Sequence, residues 1–319
     1  MSNRRTVLLL AALLMVVSLG RGAVHETYTA PADFADAKTV VIPAGGTAEA
    51  ADALAQAGVI QYPLLFRAAA WLTHKQGHIH AGEFLIPAHA SLQQVLNILR
   101  FGAVVQHQVT IPEGLTAIQI AKILNAAPAA SGTVAPPPEG AVLPQTYDYT
   151  LNTPRVVILH RAERAETAAL AEAWTQRDSA VTLTQHEALV LASIVQEETP
   201  LAAELPKVAA VYENRLAKGM KLQADPTVIY AASDGAVAAG VAITRSDLEN
   251  PSPYNTYVHE GLPPGPICAP GLAALNAVLH PAVSDDLYFV ATGTGGHVFS
   301  KNYKQQLANV AAYRAAVGH

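Results

Sequence analysis

The chain has 319 residues, 51% of them hydrophobic and 14% charged, with a formal net charge of −5. That is long enough for two domains and apolar enough to build sizeable cores, which argues against intrinsic disorder. There is no long basic run, which argues against nucleic acid as a partner, and the lone Cys268 rules out an intrachain disulfide and a cysteine metal cluster.

The chain starts with Arg4 and Arg5 ahead of an uncharged stretch from Thr6 to Gly20. Fifteen helical residues span about 22 Å, short of the roughly 30 Å hydrocarbon core. The segment 1–24 therefore suits either a signal peptide cut near "SLG" or a retained anchor extended by a snorkelling Arg21. Either way the arginines stay cytoplasmic and the body is expected to work outside the cytoplasm.

A short pattern then recurs: "IPAGGT" at Ile42, "IPAHAS" at Ile86 and "IPEGLT" at Ile111. Each follows a strand-like run and precedes a helical one, placing Thr47, Ser91 and Thr116 at N-cap positions. Ser91 with Gln94, and Thr116 with Gln119, have capping-box spacing. Repeated strand–turn–helix units predict a small α+β domain over 37–126, either a binding module or turn chemistry reused without a shared role. The Ala/Pro-rich residues 127–138 suggest a linker, and a second, mixed α/β domain is expected over 139–319. It should open with a long helix in "RVVILHRAERAETAALAEAWTQRDSA" and close with strands in "DLYFVATG" and "GHVFS" and a helix from about Tyr303 to Val317.

Within it, "LTQHEALVLASIVQEETP" has a capping box at Thr184 and Glu187, and Pro200 disfavours helix at Thr199. Winding at about 100° per residue from Ala188 puts Leu191 near 300°, Ile194 near 240° and Val195 near 340°. Glu198 falls at about 280°, inside that apolar stripe, whereas Glu197 falls at about 180° and is expected to face water. An apolar setting disfavours the charged carboxylate, which suits a general acid. The competing role for Glu198 is a buried helix-end acid paired with Arg or Lys.

Ordered pieces follow: "ASIVQEETPLAAELPKVAAVYENRLAKGMKLQADPTVIYA", "TRSDLENPSPYNTYVHEGLPPGPICAPG" and "LYFVATGTGGHVFSKNY", with "EGAVLPQTYDY" upstream. Together they resemble the endolytic murein transglycosylases, the YceG-like family, over nearly the whole chain. The resemblance implies a LysM-like first domain, a catalytic domain with a lysozyme-like catalytic helix, and a membrane-anchored lytic transglycosylase. It also implies the retained form of the N-terminal segment, single-pass in the inner membrane with the catalytic domain on the periplasmic side. Such enzymes cleave the MurNAc-β-1,4-GlcNAc bond and leave 1,6-anhydroMurNAc ends, helping to terminate glycan strands. The family's catalytic glutamate maps onto Glu198, before Thr199. No cofactor or metal is implied. Peptidoglycan strands are the implied partner, with penicillin-binding proteins and the elongation machinery beside them.

Other residues have two roles open. Asp225 in "LQADPT" initiates a turn or supplies a second carboxylate, and Gln223 beside it is a candidate sugar contact. Tyr254, Asn255, Thr256 and Tyr257 combine aromatic faces with amide and hydroxyl groups in a proline-stiffened loop suited to a cleft wall. Asn214 either touches sugar or bridges helices, and His297 is expected to position a loop. The chain departs from the family pattern at Gln145, Ala269, Gln306 and Leu307, which bears on peripheral contacts. Two rivals remain: a hydrolase using Glu198 with Asp225, and a non-catalytic wall-binding scaffold.

Overall fold

The computed structural model describes Gly22 and residues 24–318. The apolar N-terminal segment falls in 1–21, outside the described residues. Among the described residues no helix is long and apolar enough to cross a membrane. The chain forms two compact units, one of 1–107 with 150–152 and one of 108–149 with 153–319.

In the first unit, β1 (Lys38–Ile42) pairs antiparallel with β2 (Gly82–Ile86), Lys38 opposite Ile86. Alternation sends Val40 and Ile42 inward and leaves Val41 outside. Between the strands lie α1 (Thr47–Gln56) and α2 (Pro63–Leu72), and α3 (Leu92–Phe101) follows β2. Leu54, Phe66, Phe84, Ile86, Leu96 and Leu99 close the core. The capping box at Ser91 and Gln94 forms as expected. Thr47 does not cap α1: Gly46 holds the N-cap position with no side-chain bond, and Thr47 is already helical.

The third strand–turn–helix piece does not belong to this unit. β3 (His107–Thr110) pairs with β4 (Thr146–Tyr149), antiparallel as the bonds Gln108–Asp148, Thr110–Thr146 and Ile111–Gln145 show. α4 (Ala117–Ala126), with its Thr116–Gln119 capping box, packs Ile120 and Leu124 against Val142, Tyr147 and Ile158 of the second unit. The expected boundary at 126 therefore falls inside the second unit, and residues 127–138 are a pinned loop. Arg155 donates to the carbonyls of Leu124, Ala127 and Gly132, and Asn125 bonds Val134 twice. Compositional reading misses this because Pro- and Ala-rich chain packs well once a side chain satisfies its carbonyls.

Then come α5 (Arg155–Thr175), α6 (Gln185–Glu198), α7 (Leu205–Ala217), α8 (Asp225–Ala232), the short α9 (Arg245–Leu248) and α10 (Leu272–Leu279). β5 (Tyr288–Ala291) and β6 (His297–Ser300) form an antiparallel hairpin before α11 (Tyr303–Val317). α6 is the hub: every residue from Ala188 to Val195 is buried, and Ala188, Leu191, Ala192, Ile194 and Val195 share one core with residues of α7, α10 and the chain around Ile267. Full burial of a Leu, Ile or Val contributes about 1.5–3 kcal/mol each, so the helix end carrying Glu198 is rigidly set.

Candidate active site

The site grows from the end of α6. Thr184 and Glu187 start the helix through the expected capping box. Extended backbone at Thr199 stops it one residue after Glu198. Tyr212, from the facing side of α7, donates its hydroxyl to Glu198 Oε1 at 2.5 Å. Its ring is 2% exposed and meets Phe289 edge-on.

Burial pushes the Glu198 pKa up to about 7, eased by the Tyr212 hydrogen bond, raised again by the negative charge of Asp225 and lowered by Arg215. Among the described residues Glu198 makes no ion pair. Arg215 instead donates to the carbonyls of Leu287 and Leu222. The alternative of a helix-end acid neutralised by Arg or Lys is therefore not what the fold builds. With Tyr212 donating to Oε1, Oε2 is the oxygen able to carry a transferable proton.

Asp225, the first residue of α8, lies on the exposed side of this cluster and accepts from the Tyr257 hydroxyl at 2.6 Å. Its charge reaches both Glu198 and Tyr212. Gln223 is exposed just before it, with a left-handed φ of 49°, its backbone N–H held by the carbonyl of Thr256. Tyr254 is half-buried and packs on Tyr230 at 4.8 Å between ring centroids.

Three expected sugar contacts turn inward instead. Asn255 is fully buried, its amide nitrogen donating to the carbonyls of Asp247, Leu248 and Asn250 and its oxygen accepting from Tyr257 N. Thr256 is 2% exposed and bonds Ala224 N and the Thr227 hydroxyl. Asn214 donates to the carbonyls of Ser284 and Asp286, tying α7 to the chain before β5. The polar capacity of these side chains is spent within the protein, mostly on backbone, so they build the loops that carry Tyr257, Asp225 and the hairpin.

Glu197 also departs from expectation. It is half-buried and not free in solvent: burial pushes its pKa up to about 7, with the nearby Cys268 thiol opposing the rise. Gly114, at φ +80°, approaches so closely that a Cβ there would meet the Glu197 carboxyl. The strands of chain involved, 111–116 and 267–271, are joined through Gly114 N to Ala269 O and Ala269 N to Leu115 O. Gln196 Oε1 accepts from Gly271 N at 2.8 Å, closing the same packing. A wheel drawn on one helix cannot see loops that arrive from elsewhere.

Sequence reasoning missed Tyr212, whose hydroxyl is carried on the buried face of α7, and Glu139. The Glu139 carboxyl accepts from Ala117 N at the start of α4, and burial pushes its pKa up to about 7. Its place one residue before Gly140, after three prolines, was the available signal. His297 does hold a loop, as expected. Its Nδ1 and backbone N–H bond Glu204, which also accepts from Thr199, so the hairpin is latched to the chain after Glu198. Burial opposes ionisation of Glu204, but these bonds hold its pKa below the ordinary value. Gln306 bonds Ser300 and the Phe289 carbonyl, a structural use of a position that departs from the family pattern.

Comparison with known proteins gives a consistent picture. The YceG-like family matches residues 40–312. The chain is 37% identical over 169 residues to an endolytic murein transglycosylase of Bacillus subtilis, covering 53% of this chain and 46% of that protein. It is 28% identical over 314 residues to one from Streptococcus pneumoniae, covering 84% and 56%. The chain thus spans about half the length of the curated relatives it matches. A crystal structure of a yceG-like protein from Listeria monocytogenes superposes with a TM-score of 0.56 at 27% identity, covering 86% of this chain and 98% of that one.

Proposed function

The chain belongs to the YceG-like family, and from that premise we propose that it is a peptidoglycan lytic transglycosylase with Glu198 as its catalytic acid and base. The observation that carries the reading is a half-buried carboxyl at the end of a buried helix, its pKa pushed up to about 7, held by Tyr212 and, among the described residues, in no ion pair. Such a group keeps a substantial protonated fraction at neutral pH and can give that proton to a leaving oxygen.

In the proposed reaction Glu198 Oε2 protonates the glycosidic oxygen between MurNAc and GlcNAc as the bond to MurNAc C1 breaks. The resulting carboxylate takes the proton of the MurNAc C6 hydroxyl, whose oxygen closes on C1. A 1,6-anhydro end forms, the proton returns to Glu198, and no water is consumed. A hydrolase needs a second carboxylate for water or for a covalent intermediate. Here Asp225 is tied to Tyr257 and is assigned to orienting substrate, with Gln223 and Tyr254 as further contacts.

The first unit is assigned to the glycan strand as a LysM-like module, supported by its β1–α1–α2–β2 layout. The uncharged stretch after Arg4 and Arg5 supports export and attachment to the inner membrane, beside the wall-synthesising enzymes. Purified glycan digested by wild type and Glu198→Gln, with end groups weighed by mass spectrometry, tests the activity. Anhydro ends that vanish with the substitution are expected. Hydrated ends would indicate a hydrolase using Glu198 with Asp225, and no cleavage by wild type a scaffold.

A further inference from the structure

Helix α2 is apolar on both sides. Phe66 and Ala70 face the core of the first unit, while Leu64 (75% exposed), Leu65, Trp71 (72%) and Leu72 (66%) project outward together. At about 100° per residue these four fall within one 120° sector, so they form a stripe and not a scatter. Phe101, 67% exposed at the end of α3, is a further exposed apolar group of this unit, its ring beside Gly77. A soluble surface rarely leaves a contiguous apolar stripe of this kind without a partner.

The charge around the stripe says which partner. From Asp52 to Glu83 the sequence contains no Asp or Glu, in a chain whose net charge is −5. Arg67 and Lys75, both exposed, sit in this interval, and Glu83 at its end is engaged by His107. Leu and Trp on one face with cations beside them is the pattern of a helix lying in the headgroup region of an anionic bilayer.

Chain geometry adds a second argument. The uncharged stretch ends at Gly20, and by Tyr28 the chain already packs against the core of the first unit. Eight residues reach at most about 28 Å, so a membrane-inserted segment would hold this unit against the lipid surface.

We propose that the outer face of α2 docks on the surface of an anionic lipid bilayer, with Trp71 at the level of the headgroups. The proposal builds on the membrane attachment suggested above and is independent of the cleavage chemistry. Docking would fix the first unit at one orientation on the membrane, where a single tether would let it rotate.

The test uses the full chain mixed with vesicles of phosphatidylcholine and phosphatidylglycerol, with or without bromine on the acyl chains. Trp71 and Trp174 are the only tryptophans, so a Trp71→Phe chain supplies the Trp174 background. Brominated lipid should quench the Trp71 component by about half, as for an interfacial indole. Leu64→Glu and Leu72→Glu should abolish that quenching while leaving the helical circular dichroism and the unfolding transition of the chain unchanged. Arg67→Glu with Lys75→Glu should weaken the response to phosphatidylglycerol. The proposal is overturned if the chain floats with vesicles while Trp71 stays unquenched, or if the chain does not associate with them. It is equally overturned if Trp71 responds instead to soluble glycan fragments, if gel filtration shows it covered in a dimer, or if the two glutamate variants, folded as the wild type is, are still quenched.

Discussion

Replacing Glu198 by Gln should stabilise the protein while abolishing cleavage, and the gain should depend on pH in a defined way. The folded-state pKa is pushed from 4.5 to about 7, chiefly by burial. Between those values the folded protein binds more protons than the unfolded chain, so wild-type stability falls as pH rises through that window. At 1.36 kcal/mol per pKa unit the full penalty of ionising Glu198 is about 3 kcal/mol above pH 7. Gln is neutral at every pH, and its side-chain oxygen can still accept from Tyr212, so the variant avoids the penalty without losing the contact. Urea unfolding of both proteins at pH 4.5, 6 and 8 reads the difference. The two stabilities should nearly coincide at pH 4.5, and the variant should lead by about 2–3 kcal/mol at pH 8. A difference that stays constant from pH 4.5 to 8 would refute the claim that Glu198 is held protonated by its surroundings.

Further outcomes follow from the same geometry. Tyr212→Phe removes the hydroxyl that favours the ionised form of Glu198, so the alkaline limb of the pH–rate profile should move up by about 1 pH unit; a downward move would contradict the assigned hydrogen bond. Asn255→Ala orphans the carbonyls of Asp247, Leu248 and Asn250, so denaturation should show a loss of about 2–4 kcal/mol. Unchanged stability with a raised KM would instead restore Asn255 as a sugar contact. Gly114→Ala forces a side chain into left-handed backbone against the Glu197 carboxyl and should cost about 1–3 kcal/mol with cleavage reduced. Wild-type stability in that variant would mean that the 111–116 loop does not bear on the end of α6.

Much of the local structure was legible in the chain itself, because it rests on neighbours in sequence. The capping boxes at Ser91, Thr116 and Thr184 depend on residues three apart, and the stop before Pro200 depends on one steric clash. Helical phase also put Glu198 on an apolar stripe. What sequence could not supply was the traffic between distant segments. The third strand–turn–helix piece has the same local chemistry as the first two, yet β3 finds its partner in β4 and so joins the second unit. Glu197 sits on the polar side of α6 when that helix is drawn alone, and only the arrival of Gly114 and Cys268 buries it. Asn255, Thr256 and Asn214 have the right groups for sugar, but the fold presents them with unpaired backbone carbonyls and amides first. Residue type sets which bonds a side chain can make, and tertiary packing decides which partner is near enough to take them. Glu198 is where the two coincide: its helix phase is written locally, and its raised pKa comes chiefly from the burial that tertiary packing imposes.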